Sequence, residues 1–230
     1  MIPALSLAAA LMSLPVPPFD ADAGFSGRDL ACRRGERLIF AGLSFAVPAG
    51  GALVLTGPNG SGKSSLLRLM AGLTRAEAGS LGWDGAPIAD DPAAHRARLH
   101  FIGHHEAVKP VLTVAEALGF WAGMRGGTSA IGPALARFRL AALAEWPCRL
   151  LSAGQRRRLA LARLIASPAP LWLLDEPATG LDAEAVADLA AAIATQRRDG
   201  GRVVLSTHTP VPLDGAASLS LADFAPRRPA

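Results

Sequence analysis

The stretch GPNGSGKSS, residues 57–65, constrains the fold of this chain more than any other feature. It matches the pattern G-x-x-x-x-G-K-[S/T]. An apolar segment typical of a strand ends at Gly57, and the segment from Gly62 to Leu73 is typical of a helix. Glycines let backbone N–H groups curl around a phosphate, and the N-terminus of the helix adds partial positive charge there. The sequence therefore predicts a site for a nucleoside triphosphate.

The chemistry of this loop predicts a role for each of its residues. We expect Lys63 to reach the β- and γ-phosphates and the Ser64 hydroxyl to ligate Mg²⁺. The rest of the loop would cradle the phosphates, and it consists of Gly57, Pro58, Asn59, Gly60, Ser61, Gly62 and Ser65.

Two further apolar segments are predicted to bring acidic and imidazole groups to the same site. The run LWLLD, residues 171–175, is typical of a strand buried on both faces of a parallel sheet. Asp175 would hold Mg²⁺ through water, and Glu176 would polarise an attacking water. His208 ends the segment RVVLSTH and could meet the γ-phosphate. Each feature alone could be structural, but beside a phosphate loop they predict hydrolysis.

The order of these segments predicts the fold class. Strands that alternate with helices around a glycine-rich turn indicate an α/β core with a mostly parallel sheet. Within the expected domain, residues 27–225, a helical insertion occupies about 105–165. The sequence TVAE at Thr113 is a capping box that opens one helix, and Ser152 opens another.

Composition excludes several classes of protein. Half of the residues are hydrophobic and 18% are charged, which is typical of a globular chain. The net charge of +4 comes almost entirely from arginine, which suggests a genomic base bias rather than nucleic-acid binding. Cys32 and Cys148 are too isolated to indicate a disulfide framework or a metal site.

The N-terminal residues 1–26 are expected to be a disordered extension or an over-long start. Their apolar run is shorter than the roughly 20 residues that a membrane span needs. The basic region of a signal peptide is also missing, because no Lys or Arg precedes Arg28.

Four segments together resemble the ATP-binding-cassette (ABC) family. They are GPNGSGKSS, LSAGQRRRLALAR, LLDEPATGLD and STH, in that order, and the resemblance covers nearly all of residues 27–210. It implies a P-loop NTPase fold of the ABC type, with a RecA-like core, a short antiparallel β subdomain and an inserted α-helical subdomain. It also implies a head-to-tail homodimer in which each ATP lies between one subunit's P-loop and the other's LSAGQ signature.

The signature segment has its own predicted roles. Ser152, Gly154 and Gln155 would contact ATP bound to the other subunit, and Asp182 would lie near the dimer interface. Ser152 is a suitable N-cap, and Gly154 permits close backbone approach, so the helix would present free N–H groups to an anion.

The arginines after the signature are predicted to coat the solvent face of this helix. They are Arg156, Arg157 and Arg163, and their apolar neighbours Leu159, Leu161, Ala162 and Ile165 would pack inward. Contacts of these arginines with a partner or lipid headgroups, or with nucleic acid, are the alternatives.

The segment FIGHHEAVKPVLTVAEALGFWA, residues 101–122, resembles one group within the family. These are the ATP-binding subunits of the haem exporter of bacterial cytochrome c maturation. Where most ABC ATPases carry a glutamine that touches Mg²⁺ and the attacking water, the resemblance places His104. His105 is given a surface role, and a haem-ligand reading of these histidines is disfavoured. Arg34 stands near the position where family members stack an aromatic ring on adenine.

The resemblance to this group also implies partners. Two copies would lie peripherally on the cytoplasmic face of the inner membrane, docked on integral membrane transporter subunits through the region around residues 104–125. They would use ATP and Mg²⁺ to serve haem export or the release of a haem-loaded periplasmic chaperone.

Three alternatives differ from this interpretation. The chain could serve a different ABC exporter or importer, or be a soluble ABC ATPase acting on nucleic acid or ribosomes. The latter usually have paired cassettes or long coiled-coil insertions, which this sequence lacks. The third is a nucleotide-gated scaffold with negligible turnover, which the presence of Lys63, Glu176 and His208 disfavours.

Overall fold

The computed structural model describes residues 24–104, 106–124 and 130–226. One of its two sheets is antiparallel, with strand order β2-β1-β4-β5. Its strands are β1 (Phe25–Arg34), β2 (Arg37–Val47), β4 (Ala78–Trp83) and β5 (Ala86–Pro87). β1 begins two residues before the domain start expected from the sequence, and most of the predicted extension lies outside the described residues.

The second sheet is parallel and has five strands in the order β6-β7-β8-β3-β9. They are β3 (Ala52–Thr56), β6 (Leu99–Ile102), β7 (Leu171–Asp175), β8 (Arg202–Ser206) and β9 (Ala217–Ser220). Every residue of β7 is buried, as its continuous apolar run predicts. The P-loop, the acidic pair and His208 follow neighbouring strands, so they reach the same edge of the sheet.

Helices cover the parallel sheet and form a separate layer. The helices that pack beside the two sheets are α1 (Lys63–Met70), α2 (Pro92–Ala97) and α6 (Ala183–Arg198). The inserted layer consists of α3 (Val114–Gly123), α4 (Ile131–Arg137) and α5 (Ala153–Ala166). α1 ends at Met70, before the predicted Leu73, because Gly72 adopts a left-handed φ of 66°. Both predicted caps are confirmed, since α3 and α5 each begin with a complete capping box.

Two apolar cores lie on opposite faces of the parallel sheet, because side chains alternate along each strand. Leu171 and Leu173 pack toward the antiparallel sheet and α1. Trp172 and Leu174 pack toward α5 and α6. Within the described part of the chain, no helix is long and apolar enough to cross a membrane.

Candidate functional site

The phosphate loop occupies the turn between β3 and α1. Gly57, Gly60 and Gly62 have φ values of 133°, 79° and 106°, which favour glycine. A Cβ atom on Gly62 would lie 2.6 Å from the Ile39 side chain, so the loop also packs closely against β2. The loop therefore needs glycine for both backbone conformation and space.

Lys63 folds back over this loop. Its side chain is buried, and Nζ donates hydrogen bonds to the carbonyl oxygens of Gly57 at 2.7 Å and Pro58 at 3.3 Å. The Ser61 hydroxyl is buried without a hydrogen-bond partner among the described residues. An ammonium group and an unsatisfied hydroxyl beside a glycine-rich turn suit an anionic phosphate.

The two residues predicted to hold Mg²⁺ lie in direct contact. Ser64 Oγ, in the first turn of α1, donates to Asp175 Oδ1 at 3.0 Å, and Ser206 Oγ donates to the same oxygen at 2.7 Å. Asp175 ends β7 and is 5% exposed. A hydroxyl and a carboxylate are the hard oxygen donors that Mg²⁺ prefers, so these residues fit the ion.

Glu176 and His208 meet Lys63 at the same edge of the sheet. The His208 backbone N–H donates to Glu176 Oε2 at 3.0 Å, and His208 Nε2 lies 3.3 Å from Lys63 Nζ. Because an ammonium group only donates, the imidazole accepts this bond through Nε2. Glu176 Oε1 lies 3.6 Å from that nitrogen. The structure thus brings together a cation, an imidazole and a carboxylate.

His104 follows β6 at this edge. It is exposed, and it lines a cavity of about 480 Å³ together with Ser64, Ser65, Glu176 and His208. Arg34, the residue expected near adenine, lines the same cavity. His105, to which the sequence assigned a surface role, lies outside the described residues.

The signature residues do not line this cavity. Ser152 Oγ accepts a bond from the Gln155 backbone N–H at 3.2 Å, and Gln155 Oε1 accepts one from the Ser152 N–H at 2.8 Å. A Cβ atom on Gly154 would lie 3.2 Å from the Gly180 carbonyl oxygen. Asp182 caps α6 through the Ala185 N–H at 2.8 Å. The protomer therefore holds its P-loop and its signature at separate places.

The solvent-face prediction is wrong for two of the three arginines. Arg157 is 3% exposed and Arg163 is 7% exposed, whereas Arg156 is half-buried and donates to the Leu151 carbonyl. Arg163 lies over the Trp121 ring, with its guanidinium carbon 4.0 Å from the ring centroid, and donates to the Phe101 carbonyl at 2.9 Å. Cations are tolerated in these buried places because carbonyl oxygens and a ring face surround them.

Arg157 contacts the main chain of this site, which the sequence patterns did not predict. Its guanidinium donates to the carbonyl oxygens of Gly103, Asp175, Glu176 and Pro177, at distances of 2.6–3.2 Å. Burial lowers the pKa of this group, and the nearby carboxylates of Glu106, Asp175 and Glu176 oppose that shift. Arginine remains charged under such conditions. Its position two residues after the signature was the available signal.

The P-loop follows β3, the acidic pair follows β7, and a helical layer is inserted between them in the chain. This arrangement defines the class of P-loop ATPases. The sequence profile described as ABC transporter matches residues 40–179. The chain therefore belongs to the ABC transporter family, and it is an ABC-type ATPase.

Two relatives of known name and one solved structure show which ABC proteins this chain resembles. The cytochrome c biogenesis ATP-binding export protein CcmA of Paramagnetospirillum magneticum is 56% identical over 210 residues, which cover 89% of this chain and 96% of the relative. The protein of the same name from Rhodospirillum rubrum is 57% identical, covering 90% of this chain and 89% of the relative. The solved structure of an ATP-binding subunit of an ABC transporter is 26% identical and superposes with a TM-score of 0.74, covering 80% of this chain and 79% of that subunit.

Proposed function

We propose that this chain is the ATP-hydrolysing subunit of a cytochrome c biogenesis exporter, and that its ATP cycle drives haem export or the release of a haem-loaded periplasmic chaperone. The observation that carries the proposal is the cluster of Lys63, Glu176 and His208, in a chain that is 56% and 57% identical to two CcmA proteins over about nine-tenths of its length. A scaffold without turnover would not need this cluster.

Each side chain of this cluster and of the residues around it is assigned a role in ATP hydrolysis. Lys63 and the loop would hold the β- and γ-phosphates. Ser64 and Asp175 would hold Mg²⁺, which when bound would offset the phosphate charge. Glu176 Oε1 accepts a proton from a water that attacks the γ-phosphorus. The bond from that phosphorus to the β–γ bridging oxygen breaks, and ADP leaves with the electron pair. His208 lies where it can contact the γ-phosphate.

The same proposal makes the working unit a homodimer. Ser152 and its neighbours do not line the cavity beside the P-loop of their own protomer, here called the phosphate cavity. α5 begins at Ala153, and the N–H groups of Ala153 and Gly154 in its first turn have no acceptor within the helix. Such a helix terminus attracts an anion. We therefore assign Ser152, Gly154 and Gln155 to the ATP held by the partner subunit's P-loop, with Asp182 near the interface.

The proposed membrane partners would bind the inserted helical layer. Large apolar side chains are exposed on α3 and on the segments that flank and connect these helices, namely Val111, Phe120, Met124, Trp146 and Leu150. An exposed apolar patch marks an interaction site, and five of the six large apolar side chains that are exposed among the described residues belong to this insertion. They support peripheral attachment to integral membrane subunits at the cytoplasmic face of the inner membrane.

Complementation in a bacterial host whose own CcmA gene is deleted tests the proposal. The wild-type chain should restore covalent haem in c-type cytochromes, whereas Lys63→Ala and Glu176→Gln should not. In solution, Glu176→Gln should retain ATP binding, slow hydrolysis by at least about 100-fold and accumulate as an ATP-bound dimer, because an amide cannot accept the proton.

The results with these variants also distinguish the proposed function from the alternative functions. Expression levels and b-type cytochromes serve as controls in the host. Restored hydrolysis without restored c-type cytochromes would indicate a different ABC transporter or a soluble ABC ATPase. Normal turnover by Lys63→Ala would refute the phosphate assignment itself.

A further inference from the structure

Arg157 connects the signature helix to both catalytic segments of its own protomer. It lies on α5, two residues after Gln155, and is buried. Its Nη1 donates to the Gly103 carbonyl at 2.9 Å, and Gly103 precedes His104. Its Nη2 donates to the carbonyls of Asp175 at 2.8 Å and Glu176 at 2.6 Å. One guanidinium therefore fixes the main chain on both sides of the cavity.

Glu176 needs such a restraint because its backbone is strained. Its φ of 50° lies in the left-handed region, which is unfavourable for a residue other than glycine. The surrounding main chain holds this conformation, since the Glu176 N–H donates to the Ser206 carbonyl and its own carbonyl also accepts from the Thr179 N–H. Arg157 supplies the charged donor of this set, and charged donors make the stronger bonds.

The position of the carboxylate follows from that backbone. With Glu176 in this conformation, Oε2 accepts a hydrogen bond from the His208 N–H, and Oε1 lies 3.6 Å from His208 Nε2, the nitrogen that contacts Lys63 Nζ. If the main chain relaxed toward an ordinary φ, the carboxylate would move away from these partners. A displacement of about 1 Å can reduce a catalytic rate by about 100-fold.

We propose that Arg157 is a positioning residue that holds Glu176 and the segment before His104 in their catalytic geometry. It does so from the helix that serves the partner's ATP, and thus links the two ATP sites mechanically. This inference rests on the proposed function, because it requires Glu176 to act as the base for hydrolysis.

Steady-state kinetics of the full chain test this role. Arg157→Met removes all the donors but keeps an unbranched side chain of similar length, and it should lower kcat by about 10- to 100-fold. Affinity for a fluorescent ATP analogue should change less than about threefold, since Lys63 and the loop are untouched. Arg163→Met is the matched control, because it removes a second buried arginine from the same helix.

Comparison with the control separates positioning from general stability. Thermal unfolding should be shifted similarly in both methionine variants, whereas only Arg157→Met should show the large loss of kcat. Arg157→Lys keeps the charge but not the fork of donors, so it should fold and still lose part of kcat. Equal losses of kcat in both methionine variants, or a loss confined to nucleotide affinity, would overturn the role.

Failure of this inference is distinguishable from failure of the proposed function. If the wild-type chain does not hydrolyse ATP, or if Glu176→Gln does not slow its hydrolysis, both the positioning role and the proposed function are overturned. An active wild-type chain whose Arg157→Met variant keeps full kcat would overturn the positioning role alone. If the methionine variant does not fold, a lysine variant with wild-type kcat would likewise overturn the positioning role alone.

Discussion

At the scale of single residues, His104 and His95 illustrate opposite uses of imidazole. His104 is exposed at the phosphate cavity, at the position where the resemblance to the wider family places a glutamine. His95 is buried on α2, where its Nε2 bonds the Met70 carbonyl at 2.8 Å. The first is placed to contact ligand and the second to hold α1, so substitutions should separate activity from stability.

His104→Gln should retain at least part of the ATPase activity. Glutamine offers a donor and an acceptor of similar reach, and the backbone that positions residue 104 is held through Gly103 by Arg157. Steady-state hydrolysis of the purified variant measures this, with His104→Ala as the control that removes both groups. Complete loss in the glutamine variant would instead show a requirement for imidazole.

Acidification should destabilise the chain through His95. Burial lowers its pKa below the ordinary 6.5, the Met70 carbonyl opposes that shift, and Arg98 and Arg96 add to it. Nδ1 is also buried without a partner among the described residues, so a proton there would gain no bond. The unfolded chain thus takes up a proton near pH 6.5 that the folded chain refuses until lower pH.

The free energy of unfolding should therefore be highest above pH 6.5 and fall as the pH drops through that value. Urea titrations between about pH 7.5 and pH 5 measure the slope. His95→Gln can still donate to Met70 but does not titrate, so its slope should be shallower. Identical slopes would remove His95 as the cause.

Sequence reasoning predicted residues whose chemistry a motif fixes, and it missed those whose environment is set by tertiary contacts. Lys63, Ser64, Asp175, Glu176 and His208 were expected at one site, and the structure brings them together. Arg157 was expected in solvent because hydrophobic patterning scores arginine as polar. Its burial depends on carbonyl oxygens at the ends of β6 and β7 that accept its bonds, which no local pattern encodes.

At the scale of elements, α3 and α5 begin with the same capping motif, but only α5 is assigned to nucleotide binding. Each opens with a capping box, built by Thr113 and Glu116 in α3 and by Ser152 and Gln155 in α5. Local side-chain-to-backbone bonds of this kind can be predicted from four residues, which is why both helix starts agreed with the sequence. The end of α1 was overestimated because the apolar pattern continues past the left-handed Gly72.

Ser152→Ala and Thr113→Ala form a matched pair at this scale. Each removes one cap oxygen and should lower the unfolding free energy by about 1 kcal/mol. Only Ser152→Ala should also lower ATP hydrolysis, because α5 is the helix assigned to the partner's nucleotide. Denaturant titration and basal hydrolysis of both variants measure these effects, and equal hydrolysis in the two would contradict the signature assignment.

At the scale of the whole molecule, the P-loop and the signature lie on different parts of the protomer, the first on the parallel sheet and the second on the inserted helices. The carboxyl ends of the sheet's strands carry the phosphate loop, Glu176 and His208, while the insertion carries the signature and five of the large exposed apolar side chains. Burial of both sheet faces fixed this layering and could be predicted from the apolar runs. The distance between P-loop and signature could not, because it depends on how the helical layer packs on α6 and β6.

A site shared between protomers should show intragenic complementation. Lys63→Ala disables the P-loop but keeps the signature, and Ser152→Arg keeps the P-loop but blocks the signature with a bulky cation. Each homodimer then has two defective sites and should hydrolyse ATP at most marginally. A mixed dimer has one site with both defects and one with neither, so mixing the inactive chains should generate activity.

The measured quantity is the ATPase rate of the mixture minus the sum of the separate rates. It should be positive and peak near an equal ratio of the chains, since random pairing makes about half of the dimers mixed at that ratio. A mixture of Lys63→Ala with Glu176→Gln is the control, because both defects lie on the P-loop side and every mixed dimer lacks an intact site. Strictly additive rates in the first mixture would mean that one protomer encloses its nucleotide alone, and the division of labour between P-loop and signature would then have to be abandoned.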